Sequence, residues 1–305
     1  YYMKKVIVLG NGFDLDLGWN TSYKQFFLTQ YGSRSVTDKD DSLIQYIINH
    51  AGEKDTWYDL EKMLSDYCVL KSKEERTEQQ LLHDNQDYKE LRTKLKKFIA
   101  EGTSKPADSN SFAYKILEKC IESAKKNPST QDFIPSIFSF NYSDLGKVVS
   151  QIDPKVKFSY HAVHGTLEKD NIIFGFNNRS DIKKEYRCYQ KSHDDSYESH
   201  NILPALMDAS DIIFFGMSMG DIDGAYYAEV LRQTSVVGGY RTRMHKNITF
   251  VTYNSDSRLA IKNNLQDAGI DTMVLCNTNN VKFILTSENK KLEQKNEVYK
   301  LLNTL

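Results

Sequence analysis

The sequence predicts an α/β fold: a mostly parallel sheet with helices on both faces and a helical insert after the first βα unit. Three observations carry this. The apolar run Val6-Ile7-Val8-Leu9 ends at a glycine, as a strand buried on both faces does. In the second half of the chain, short apolar runs alternate with helical patterns. Between these regions, from about Asp41 to Ala124, glycine and proline are scarce, Lys and Glu are dense, and apolar residues recur at helical spacing.

After the first strand, Asn20-Thr21-Ser22 offers caps for a helix through Tyr23, Phe26 and Phe27. The insert carries two stripes, Leu60, Met63, Leu64 and Tyr67, then Leu91, Leu95, Phe98 and Ile99. The charged run Lys71–Gln80 reads as a solvated loop or helix face. Strand patterns resume at Ser136–Phe140. They recur at Phe158–Val163, Ile172–Phe176, Ile212–Met217, Ile248–Thr252 and Met273–Cys276, with a shorter run at Phe283–Leu285. Helices fall at Asn201–Ala209, Ala225–Gln233 and Arg258–Ala268. The polar segment Asn178–His200 reads as a long loop or lid. The expected plan is Rossmann-like: a nucleotide-binding core over residues 3–40 and 130–305, with a helical insert over 41–129. Tyr1 and Tyr2, ahead of Met3, read as a cloning remnant.

The 305 residues, 40% of them apolar and 27% charged, suffice for one large core without staples. The net charge of −1 argues against binding nucleic acid in bulk, which calls for a basic excess. The longest apolar runs, 134–140 and 212–219, are too short to span a bilayer. The chain enters its first strand without a signal-peptide pattern, and the four cysteines form no C-x-x-C pair. A cytoplasmic protein with buried free thiols is expected.

Four strand ends could carry chemistry. Gly10-Asn11-Gly12-Phe13-Asp14 follows the first strand. Glycines there permit a tight turn and a close approach of amide groups to phosphate, with the helix N-terminus adding positive charge. The dinucleotide fingerprint wants a third glycine where Leu15 stands, so the match is incomplete. Asn141-Tyr142-Ser143-Asp144 ends the next strand, with Asp144 either a helix cap or a ligand-binder. His164-Gly165 ends a third, where an imidazole could exchange a proton near neutrality; His161 lies three residues earlier. Gly216-Met217-Ser218-Met219-Gly220-Asp221-Ile222-Asp223 ends a fourth, and one of its two aspartates suits a helix cap. Trp57-Tyr58-Asp59-Leu60-Glu61 adds a carboxylate, Glu61, within the insert. Walker A, G-x-S-x-G and H-E-x-x-H patterns are all lacking from the sequence.

These stretches, in this order, resemble the AbiH family, bacterial proteins named for abortive infection during phage attack. The resemblance rests on Gly10–Leu15 with Thr21-Ser22-Tyr23, on Trp57–Glu61, Phe140-Asn141-Tyr142 and His164-Gly165, and on Gly216–Asp223. A more distant similarity is to sirtuin-like NAD-consuming proteins. That similarity implies NAD as substrate or ligand and no metal. It would put Gly10 and Gly12 at the pyrophosphate and Gly216 and Ser218 on the adenosine side, with Asn11, Phe13, Asp14, Thr21, Asp144 and Asp221 as further nucleotide-binding candidates. Asn141 would orient a water or the ribose, and His164 would be the acid/base. In sirtuin-like proteins an aspartate follows the asparagine by two residues; Ser143 stands there and Asp144 comes one later. The two zinc-binding C-x-x-C pairs of the deacylases are missing, which favours NAD cleavage over deacylation. The implied role is phage defence, with a phage-derived trigger and a homo-oligomer as further expectations. Two other readings stay open: a non-catalytic nucleotide sensor, and a nuclease-type effector using Asp14, Asp144, Asp221 and Asp223.

Overall fold

The computed structural model describes residues 4–37, 39, 41–51, 59–126, 135–156, 158–235, 245–288 and 292–305, with the backbone only of 288 and 292–296. These form two compact units. One holds the chain up to Trp19, Lys105–Val163 and the residues from Ser199 on; the other holds Asn20–Ser104 and His164–Glu198.

In the first unit, β1 (Lys5–Leu9), β2 (Ser136–Ser139), β3 (His161–Ala162), β4 (Asp211–Phe215), β5 (Asn247–Thr252) and β6 (Asn280–Leu285) form one sheet, all parallel, in the order 3-2-1-4-5-6. Strand alternation splits the apolar run of β1 between two layers. Val6 and Val8, with Phe138, Phe214 and Phe250, meet α8 (Ile202–Asp208), α10 (Ala228–Thr234), α11 (Ser255–Asp267) and α12 (Thr272–Thr278). Ile7 and Leu9, with Ile137, Ile213 and Phe215, meet α1 (Asn11–Asp16), α6 (Phe112–Lys126), α7 (Leu145–Ile152) and α13 (Leu292–Thr304). Phe214 stacks on Phe250 and Phe250 on Phe283, at 5.4 and 5.0 Å between ring centres, across three strands.

The second unit is helical, with α2 (Tyr23–Tyr31), α3 (Leu43–His50), α4 (Leu60–Ser72) and α5 (Glu78–Gly102). The expected caps form: Ser22 Oγ accepts from Gln25, and Thr77 with Gln80 makes a reciprocal capping box. Residues 172–193 pack in this unit, with Tyr88 of α5 donating to Phe174 O at 2.6 Å and Arg92 donating to Ile172 O.

Helix α6 falls in the sheet unit, where Phe112, Ile116, Leu117 and Cys120 are buried in one cluster with Ile7, Leu9 and Ile137. Residues 20–37 and 164–198 fall with the helices. Several expectations need correction. Met273–Cys276 is helical: Asp271 Oδ1 accepts from the amides of Met273 and Val274, at 2.9 and 3.0 Å, and starts α12. Ile172–Phe176 is buried but joins no sheet, making one bridge to Gln190. Phe158–Val163 yields only the two residues of β3. Lys71–Gln80 is solvated except for Lys71, which is buried, and Arg76, whose guanidinium is buried against Asp84 at 2.9 Å. All four thiols are free, but Cys188 and Cys276 are exposed; burial pushes the Cys120 thiol up to about 12. Tyr1–Met3, Trp57, Tyr58, Ile134 and the insert's last residues, 127–129, lie outside the described residues. No helix among the described residues is long and apolar enough to cross a membrane.

Phe215 closes the centre of one layer, edge-on to Phe13 at 5.2 Å and beside Phe112 at 5.7 Å. Phe215→Ala is expected to cost about 3–5 kcal/mol of stability, read as a lower urea midpoint by circular dichroism. A loss under about 1 kcal/mol would contradict this packing.

Candidate functional site

The carboxyl ends of β1, β2 and β4 meet in the first unit. Leu9 pairs with both Ser139 and Phe215, so Gly10, Phe140 and Gly216 all lie one step past the sheet. Helix α1 begins at once, with Gly10 as its N-cap. Gly12 N donates to Gly216 O at 3.0 Å, Gly10 N to Phe215 O and Phe13 N to Gly10 O, both at 2.9 Å. A Cβ on Gly12 would stand 2.6 Å from Gly216 Cα, and one on Gly216, whose φ is +67°, would stand 2.3 Å from Phe13 N. The glycines are thus required by two backbones in contact. The N–H groups of Gly10, Gly12 and Phe13 are committed to protein carbonyls.

Beneath the turn lies Asp14, 1% exposed. Its Oδ1 accepts from Asn141 Nδ2 at 2.8 Å and from Ser143 Oγ at 2.9 Å. Asn141 Nδ2 gives its second proton to Gly10 O at 3.0 Å. With both amide protons committed, Asn141 can offer a ligand only its Oδ1. The amide is therefore oriented without any ligand. Asp14 is buried support for Asn141. Phe13 is likewise a core residue, fully buried on Phe215.

Other expected residues have simpler duties. Asp144 caps α7, accepting from Gly146 N and from Tyr160 OH, both at 2.8 Å. Ser218 and Asp221 are exposed, and Asn11 is half-buried. Asp221 and Asp223 both stand in the first turn of α9 (Asp221–Gly224), a favourable place for a carboxylate, while its N-cap is Gly220. Two bonds pin the loop before α9: Asn264 Nδ2 donates to Ser218 O at 2.7 Å, and Tyr227 OH donates to Gly220 O at 2.8 Å. Burial, then Asp223 and Asp221, hold the Tyr227 phenol well above its ordinary value, so it remains a donor.

The second unit holds Thr21, buried ahead of the α2 cap, and His164. His164 is 3% exposed, and its Nε2 lies 3.1 Å from Lys191 Nζ. Lys191 pairs with Glu61 Oε2 at 3.0 Å, the two side chains being 2% and 7% exposed. Glu61 enters from the first turn of α4, which Asp59 caps. Gly165, with φ +71°, turns the chain directly after His164, and a Cβ there would strike Asn171 O. Sequence reasoning singled out Glu61 and His164 but missed Lys191, which lies in the polar segment read as a loop. Among the described residues no three His, Cys, Asp or Glu side chains gather as a metal would need.

A family model described as Bacteriophage abortive infection AbiH matches residues 6–239. The chain therefore belongs to the AbiH family, whose description places it in abortive infection during phage attack. No curated protein and no solved structure matches.

The support given to Asn141 can be tested by stability. Asp14→Ala strands two buried donors and should cost roughly 2–4 kcal/mol in chemical denaturation. Asp14→Asn keeps an Oδ1 and should cost distinctly less. Equal losses would show that the shared oxygen does not organise the cluster.

Proposed function

We propose that this member of the AbiH family acts in phage defence by binding NAD at the carboxyl ends of β1, β2 and β4 and cleaving it to nicotinamide and ADP-ribose. The observation that carries the reading is the strand order. In a parallel sheet ordered 3-2-1-4-5-6, the connections from β1 diverge, and ligands sit outside the strand ends at that divergence. Gly10–Asp14, Asn141 and Gly216–Asp221 occupy that place. Because the turn amides serve the fold, the nucleotide's polar contacts fall to Asn141 Oδ1, to the exposed Ser218 hydroxyl and to the loop leading into α9.

The reaction breaks the bond between the ribose anomeric carbon and the nicotinamide nitrogen, with the electron pair leaving on nicotinamide. Water oxygen then bonds to that carbon and releases a proton. The transition state resembles an oxocarbenium ion, and a pre-oriented acceptor such as Asn141 Oδ1 would position the water or a ribose hydroxyl. His164 is the second residue asked to serve turnover.

One observation favours a different reading, a sensor that binds a nucleotide without cleaving it. The amides of Gly10, Gly12 and Phe13 are already committed to protein carbonyls, which weakens the rigid grip on a pyrophosphate that cleavage calls for. The same experiment separates the two. Purified protein is incubated with NAD, nicotinamide is followed by chromatography, and NAD binding is measured by calorimetry. The enzyme reading expects turnover that falls about 100-fold or more in His164→Gln. Ser218→Asp, which sets a charge against the anionic ligand at an exposed position, should weaken binding in either case. Binding without turnover selects the sensor; neither binding nor turnover sinks both.

A further inference from the structure

We propose that Lys191, held as an ammonium by Glu61, fixes the tautomer of His164 and makes it a hydrogen-bond donor through Nδ1 rather than a proton acceptor. The inference concerns a residue on which the NAD reading relies, and it sharpens that residue's role. It rests on three buried side chains of the second unit. Lys191 Nζ stands 3.0 Å from Glu61 Oε2 and 3.1 Å from His164 Nε2. A neutral lysine would leave the Glu61 carboxylate buried without its cationic partner, which is strongly unfavourable, so Lys191 carries its charge. An ammonium has three donors and no lone pair. His164 Nε2 must therefore accept, and a neutral ring that accepts at Nε2 bears its proton on Nδ1.

The lysine cannot swing away as a surface lysine would. Its side chain is 2% exposed, and its own amide donates to Phe176 O at 2.8 Å. Phe176 N in turn donates to Tyr189 O at 3.2 Å, and Tyr88 of α5 stacks on Tyr189 at 4.5 Å. His164 is pinned from its other side, its carbonyl accepting from Ile173 N at 2.9 Å. A cation of fixed position thus meets a ring of fixed position, and the lone pair of Nε2 is occupied. In the proposed cleavage, the proton released by the attacking water is then not taken up by His164 Nε2 and passes to solvent. Lys191 is a positioning residue.

The test reads the proton and needs no nucleotide. The full chain is labelled with ring-15N histidine, and long-range proton–nitrogen correlation is recorded at neutral pH. His164 is identified among the seven histidines by the signal lost in His164→Gln. The expected pattern is an unprotonated Nε2 with the proton on Nδ1. A proton on Nε2, or a doubly protonated ring, overturns the proposal. In Glu61→Gln/Lys191→Met both charges leave together, so neither stays buried alone, and the Nε2–H form should rise to a large share of the population. An unchanged tautomer in the folded double variant also overturns it. Should that variant fail to fold, the wild-type spectrum alone decides. Failure to cleave or bind NAD would remove the proposed reaction and leave this result standing.

Discussion

The arrangement at the strand ends depends on one contact, between the backbone of Gly12 and that of Gly216. Side chains at either position would force β1 and β4 apart where they leave the sheet. Because they can touch, α1 starts without a loop, and its first turn sets Asp14 under the turn, within reach of the residues leaving β2. Asp14 then determines which way the Asn141 amide points. A glycine pair that suggests phosphate binding is, at the atomic level, a packing device whose product is an oriented asparagine. The same contact limits what a nucleotide can find there, because the amides that make it are no longer donors.

How much of this is legible in the sequence follows from how each element is specified. The central strands are plain, since a parallel sheet covered on both faces needs apolar residues at every position, and 6–9 and 212–215 supply them. Residues 273–276 have the same appearance and form a helix. A run of four apolar residues carries no period, and the decision rests on Asp271, whose carboxylate gives the first amides of α12 a partner. Ile172–Phe176 is as buried as a sheet strand, yet Tyr88 and Arg92 claim the carbonyls of Phe174 and Ile172. Which backbone partner a buried run finds is a tertiary fact. The placement of α6 is of the same kind: its stripe announces a helix with one apolar face but not which surface that face covers.

The strand-end residues were legible as a set because polar groups at the ends of apolar strands are conspicuous. Their division of labour was not. Ser143 shares the Asp14 oxygen with Asn141, while Asp144 turns to capping α7. Lys191 was hidden more deeply. It lies in a polar stretch, 27 residues from His164, and nothing local distinguishes it from the lysines of the same segment that meet water. Only burial separates them.

The second unit offers an internal comparison that bears on why such a lysine is there. Asp84, fully buried, is satisfied by the hydroxyls of Tyr67 and Tyr186 and by Arg76. Burial and then Asp84 itself drive the two phenols upward, so both stay donors. The effect of that cluster is to tie the α4–α5 turn and residues 184–189 to one point. Glu61 and Lys191 are likewise buried, and for stability alone a buried ion pair gains little over apolar residues of the same shape. What sets them apart is the third member. An imidazole is the one side chain whose two nitrogens can exchange roles, and a cation fixed against one of them removes that choice. The first cluster is explained by the fold it joins. The second is explained by what it does to His164.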